Sequence, residues 1–383
     1  MSMLATRNPM RTELATRQPD PSVAAFHRRM PAYATTPLCD AAAIATNLGI
    51  GRLLVKDESR RLGLPSFKIL GASWATYRAL VDHLGHEPEP WADIDSLAAA
   101  VAHLRPFTLA AATDGNHGKA VALMARLLGF QAHIFVPKGT VIARIEAIRV
   151  EGAQVTVVDG DYDAAVARSA EEAGERCLVI SDTSWAGYET TPQRVIDGYS
   201  TIFSEIDAAL DAEGLLQPDV IVIPVGVGAL MSAAINHYRS GSINPIIVGV
   251  EPITANCVQL SAEAGRLVVV PGPHPSMMAG LNCGTPSFVA WPTVSAGVDW
   301  FVAVDDEASA SAMRDLAQVA VVAGETGAAA LAGLTALCAA PDRPEWLRHD
   351  ATVLVLVTEG ATDPENYELI VGHPPTDDAG SST

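Results

Sequence analysis

Four short stretches carry residues whose types could do chemistry. In SFKILG, residues 66–71, Lys68 stands between Phe67 and an apolar run, which draws its stem toward the interior rather than the surface. A lysine amine held partly out of water favours its neutral form, and a neutral amine attacks a carbonyl. In PVGVGAL, residues 224–230, Gly226 and Gly228 let the backbone turn tightly, so that the N–H groups of Gly226, Val227, Gly228, Ala229 and Leu230 converge ahead of a helix. An anion, most naturally a phosphate, suits that point. In TDGNHG, residues 113–118, and in SDTSW, residues 181–185, Asp114 and Asp182 place carboxylates in loops of the same kind. A carboxylate beside an anion site is costly, so each needs a cation or a proton to move.

Loops of this kind need strands to hold them. Short Val- and Ile-rich runs recur along the chain: RLLVKDE, FTLAAAT, AHIFVP, QVTVVD, CLVISD, DVIVIPV, PIIVGVE, WFVAVD and ATVLVLVTE. Between them lie Ala-, Leu- and Arg-rich stretches of helical period, among them LGASWATYRALVDHL and NHGKAVALMARLLG. Alternation of that sort predicts α/β architecture with parallel sheets covered by helices. In open parallel sheets ligands sit beyond the carboxyl ends of strands, and the loops at 114–118, 182–185, 226–230 and 358–360 each follow a predicted strand.

Composition sets outer bounds. At 383 residues, 49% hydrophobic and 18% charged, the chain is long enough for two domains with substantial cores. Its 25 Lys and Arg against 44 Asp and Glu give −19, which repels polyanions and argues against nucleic acid as a partner. The 5 cysteines show no CxxC spacing, against a zinc ribbon or a disulfide scaffold, and no metal site is expected. No apolar run is long enough to span a bilayer and the first residues lack a signal-peptide core, which predicts a cytoplasmic protein without a membrane partner. Residues 1–20 and 371–383, rich in Pro, Ser, Asp and Gly, read as lacking fixed structure.

Met231 stands where the dinucleotide fingerprint GxGxxG has its third glycine, which disfavours a nicotinamide cofactor. A buried lysine joined to a phosphate loop points instead to pyridoxal 5′-phosphate, whose aldehyde condenses with an amine. With those residues in view, SFK at 66–68, TDGNHG at 113–118, the glycine loop at 226–230 and VTEG at 357–360 resemble, in that order, the tryptophan synthase β and threonine dehydratase family of fold type II pyridoxal-phosphate enzymes. VKDESRRLGLPSFKILGAS, DTSWAGY, MAGLNCG, GETGAAAL and VTEGATD are more similar still to those family members that remove ammonia from 2,3-diaminopropionate.

The resemblance implies two doubly wound parallel-sheet domains with the cofactor between them. Residues 21–74 and 191–370 would form the larger domain and 75–190 the smaller inserted one, in a homodimer. It implies Lys68 as the residue bound to the cofactor aldehyde, Asn116 on its 3′-oxygen, the 226–230 loop on its phosphate and Thr358 on its pyridine nitrogen. Thr113, Asp114, Gly115 and His117 would meet the substrate carboxylate. Helix capping by Asn116 and Asp114, a loop turn at Asp182 and a buried structural His117 stay open as plainer readings. Many relatives have serine where this chain has Asp114, and Asp182 has no general counterpart among them. A substrate with a second ammonium would justify both acids, with Asp114 serving the D-isomer and Asp182 the L-isomer in a β-elimination yielding pyruvate and two ammonia. Elimination from serine or threonine, or cofactor binding without turnover, are the competing expectations.

Overall fold

The computed structural model describes residues 3–88, 91–113, 115–241 and 244–376. Eleven strands occur among them: β1 Met3–Arg7, β2 Leu38–Asp40, β3 Arg52–Asp57, β4 Thr108–Ala112, β5 Gln131–Pro137, β6 Gln154–Val158, β7 Cys177–Val179, β8 Val220–Pro224, β9 Ile246–Pro252, β10 Trp300–Val304 and β11 Thr352–Val357. β4–β7 form a four-stranded sheet in the order β6-β5-β4-β7, parallel throughout. The other seven form a second sheet in the order β1-β10-β9-β8-β11-β3-β2. Its central strands are parallel and buried on both faces, as in VIVIP of β8, where every residue is inaccessible; helices cover such strands, so polar alternation is lost. Both edge strands are antiparallel, β1 to β10 and β2 to β3.

The expected absence of structure in residues 1–20 is corrected by that edge. β1 pairs along all 5 of its residues with β10, and the chain beyond it is tied down by side chains. Asn8 Nδ2 donates to the carbonyls of Ser295 and Val298, at 2.8 and 2.7 Å, and Arg11 pairs with Asp299 at 2.9 Å. Long-range hydrogen bonds of this kind leave no mark on local composition. At the other end the last described helix, Pro364–Val371, closes on Gly372, while the final part of the expected flexible tail, 377–383, lies outside the described residues.

Two features fix the segment leading to the lysine. Lys56, Glu58, Arg61 and Glu205 are buried together: Arg61 lies 2.5 Å from Glu58 and 2.7 Å from Glu205, and Lys56 donates to Glu205 at 2.9 Å. Thr36 Oγ1 donates to Glu58 at 2.6 Å, so the charges are compensated and hydrogen-bonded. Second, the helix Lys68–Leu84 crosses the helix Thr190–Gly198 at very short range. A Cβ at Gly71 would lie 2.6 Å from the Tyr199 ring and one at Gly198 only 2.6 Å from the Leu70 carbonyl, so only glycine permits this crossing. Among the described residues no helix is long and apolar enough to cross a membrane.

Candidate active site

Lys68 begins its helix directly after a short antiparallel contact between residues 65–67 and 358–360. Ser66 bridges Glu359, Gly360 N–H donates to the Pro65 carbonyl at 2.9 Å, and Phe67 N–H to that of Thr358 at 3.4 Å. The parallel pairing of β3 with β11, in register from Arg52–Thr352 to Asp57–Val357, delivers both segments to the same end of the sheet. SFK and VTEG, some 290 residues apart in the chain, are thereby neighbours. Lys68, Asn116, His117, Asp182, Thr358 and the whole 226–230 turn line one cavity.

Lys68 Nζ lies 2.6 Å from Asp182 Oδ2, and the Tyr162 hydroxyl donates to Asp182 Oδ1 at 3.1 Å. Burial by itself would push the Asp182 carboxyl up; the Lys68 ammonium and the hydrogen bonds from Lys68 and Tyr162 hold it below the usual carboxylate range. His117 Nε2 faces the Ile180 carbonyl at 2.7 Å; a carbonyl only accepts, so Nε2 carries the proton. Its Nδ1 has no hydrogen-bond partner and stands 3.8 Å from Asp182 Oδ2, and burial lowers its pKa, favouring the neutral ring. The pair keeps Asp182 ionised, so the contact sets a proton acceptor directly against the lysine amine without water between them.

The glycine turn has the form a phosphate needs. Gly228 holds φ at +98°, in the left-handed region that suits glycine, and the helix Ala229–Tyr238 starts at once with no side-chain cap. A Cβ at Gly226 would meet the Gly280 carbonyl at 3.1 Å, so the turn presents bare backbone. Across the cavity Thr358 Oγ1 is shielded from solvent and has no partner, an orphaned hydroxyl that a ring nitrogen would complete. Amine, N–H cradle and orphan hydroxyl together fit pyridoxal phosphate.

The remaining expected residues are placed as follows. Asn116 begins the helix Asn116–Leu128, and its Nδ2 donates to Glu359 Oε2, while Glu359 Oε1 accepts from Thr326 N–H at 3.2 Å. Thr113 N–H donates to the Phe135 carbonyl and Gly115 N–H to Thr113 Oγ1, both at 2.9 Å, so those two amides point away from a ligand here. Asp114 lies outside the described residues. Three site residues went unmarked in the sequence. Tyr162 opens a helix far from any loop motif, Glu359 is the unremarked member of VTEG, and Arg144 lies within a stretch that reads as an ordinary surface helix. Only the apolar setting of the glutamate in VTEG offered a signal.

The family model described as pyridoxal-phosphate dependent enzyme matches residues 30–359. A diaminopropionate ammonia-lyase of Salmonella typhimurium is 35% identical over 374 residues, covering 91% of this chain and 91% of that protein. The crystal structure of the holo diaminopropionate ammonia lyase from Escherichia coli superposes with a TM-score of 0.86 at 31% identity, over 97% of this chain and 96% of that one. The same Escherichia coli enzyme in complex with D-serine gives 0.85 at 31% identity, over 97% of each chain.

Proposed function

Because this chain belongs to the pyridoxal-phosphate dependent enzymes, we propose that it is a lyase that eliminates ammonia from 2,3-diaminopropionate, both D and L, to give pyruvate and two molecules of ammonia. The observation that carries the reading is the 2.6 Å contact between Lys68 and Asp182, a nucleophilic amine and a buried carboxylate in the cavity that the 226–230 turn also lines. When bound, pyridoxal phosphate condenses with amino groups and withdraws electrons from Cα, which makes the α-proton removable. The residues of the chain supply the rest. Lys68 would offer its amine to the cofactor aldehyde, and the 226–230 turn and Thr358 would hold the cofactor's two ends. Tyr162 keeps the Asp182 carboxylate turned toward Lys68. Ammonia leaves Cβ only when protonated, and Asp182, by way of Lys68, can return the proton taken from Cα. The resulting aminoacrylate hydrolyses to pyruvate and the second ammonia.

Asp182 is proposed to serve the L-isomer and Asp114 the D-isomer, the latter from its place in TDGNHG; the D-serine complex of the Escherichia coli relative supports a site open to D-amino acids. The proposed boundaries, 75–190 inserted between 21–74 and 191–370, gain support from the separate sheet of β4–β7. A homodimer in the cytoplasm completes the proposal, carried by the family resemblance alone. Side-by-side assays of pyruvate and ammonia from diaminopropionate, and of the keto acid from serine and threonine, test it. Diaminopropionate should be preferred, and Lys68→Ala should remove both turnover and the visible absorption of the bound cofactor. Threonine turnover without diaminopropionate turnover would overturn it.

A further inference from the structure

Arg144 sits on the helix Ile142–Arg149 with its stem against the TDGNHG loop: a Cβ at Gly115 would lie 3.2 Å from Arg144 Cδ. Its side chain is only 8% exposed and lines the same cavity as Lys68 and Asp182. A guanidinium has five N–H donors and never gives up its charge. Here Nη2 reaches Thr362 Oγ1 at 3.4 Å and stands 3.9 Å from Glu325 Oε2, beyond hydrogen-bond range, while Nε is shielded from solvent with no acceptor. Glu325 accepts instead from Asn366 at 2.5 Å, so its nearest donor is the amide and not the guanidinium. A buried cation with unused donors is a costly arrangement unless an anion completes it.

The substrate supplies such an anion. Two of the amides expected to hold its carboxylate, Thr113 and Gly115, already donate elsewhere. Among the described residues lining the cavity Lys68 and Arg144 are the Lys and Arg side chains and Asp182 and Glu359 the acidic ones, and the proposed reaction commits Lys68 to the cofactor. We infer that Arg144 is a carboxylate anchor of the substrate site, making the enzyme selective for amino acids over amino amides or simple diamines. The inference rests on the proposed amino-acid lyase reading.

The test compares wild-type holoenzyme with Arg144→Gln and Arg144→Lys. Loss of a charge-assisted hydrogen bond should raise KM for diaminopropionate about 10- to 150-fold. Contact with a group that does not react should leave kcat within about fivefold. Alanine and alaninamide have no leaving group on Cβ, so their binding can be titrated from the cofactor's visible spectrum. Arg144→Gln should weaken alanine by the same factor as diaminopropionate and leave alaninamide within about threefold. Arg144→Lys, charged but without the planar fork, should fall between. Equal losses on alanine and alaninamide would assign Arg144 to loop support and overturn the inference. So would a wild type that binds alanine no better than alaninamide, or a fall in kcat at constant KM. A wild type inactive on diaminopropionate would sink the lyase reading, while the alanine pair would still decide the role of Arg144.

Discussion

Replacing Asp182 by asparagine isolates the charge of the buried acid. The side chain keeps its size and an oxygen for the Tyr162 hydroxyl, but the carboxylate 2.6 Å from Lys68 Nζ is gone. Two unit charges at that separation attract by about 6 kcal/mol at an effective dielectric constant near 20. Desolvation consumes part of it, and breaking one buried hydrogen-bonded pair typically costs about 2–5 kcal/mol. Loss of a positioned general base costs about 10²–10⁴ in rate, which is ~3–5 kcal/mol and agrees with that interval. Turnover of L-diaminopropionate, followed as pyruvate, should therefore fall about 10²–10⁴-fold in kcat/KM, with the D-isomer reduced less than about tenfold if Asp114 serves it independently. Asp114→Asn should give the opposite pattern. Parallel losses on both isomers in either variant would refute the division of labour and leave Asp182 as an electrostatic partner of Lys68.

Gly228→Asp places a charge and a Cβ where φ is +98° and the nearest side-chain atom, Val294 Cγ2, would be 3.2 Å away, whereas Gly228→Ala brings the same Cβ without charge. Dialysis against buffer should strip cofactor from the aspartate variant far faster than from the alanine variant, and equal retention would move the phosphate to another loop. Glu205, held by Arg61 and Lys56, has a carboxyl lowered from 4.5 to about 2 against the pull of burial. A folded-state value below the ordinary one means the stabilisation is complete above about pH 4.5 and is lost as the pH falls toward about 2, some ~3 kcal/mol in all. Glu205→Gln should lower the unfolding free energy by about 3–5 kcal/mol at pH 7, measured in urea, and flatten its pH dependence across that acidic window; an unchanged slope would place the acid sensitivity in other carboxylates.

What the sequence made legible was whatever local pattern encodes. The central parallel strands announced themselves as continuous apolar runs, as in VIVIP of β8 and TVLVLV of β11, because a strand covered on both faces has no polar side to show. β1 and β2, the two antiparallel edges, were missed: MLATR and LCD are short, part-exposed and defined by their partners rather than by their own residues. The lysine, the glycine turn and Asp182 were readable because their types are unusual in their surroundings. Arg144 was hidden for the converse reason. On its helix Ile142 is 75% exposed while the arginine is buried against Gly115, Thr362 and Glu325, neighbours that the local sequence does not announce. The quartet Lys56, Glu58, Arg61 and Glu205 was equally invisible, since nothing in RLLVKDE or the SRR after it marks these charges as buried, and the closing carboxylate comes from a helix far along the chain.

The place of β11 bears on how the molecule is made. It is the last strand in sequence, yet it lies between β8 and β3 near the middle of the seven-stranded sheet. Until residues 352–357 leave the ribosome, β3 and β8 have no common neighbour and present open, apolar edges, the condition under which strands pair with the wrong partner. Thr358 and Glu359 emerge with the same segment, so the pocket around Lys68 is among the last things assembled although the lysine is synthesised early. Contacts spanning nearly the whole chain favour slow folding. A chain interrupted shortly before Thr352 would lack the keystone of its larger sheet, and would be a substrate for chaperones or proteases rather than a slightly shortened enzyme.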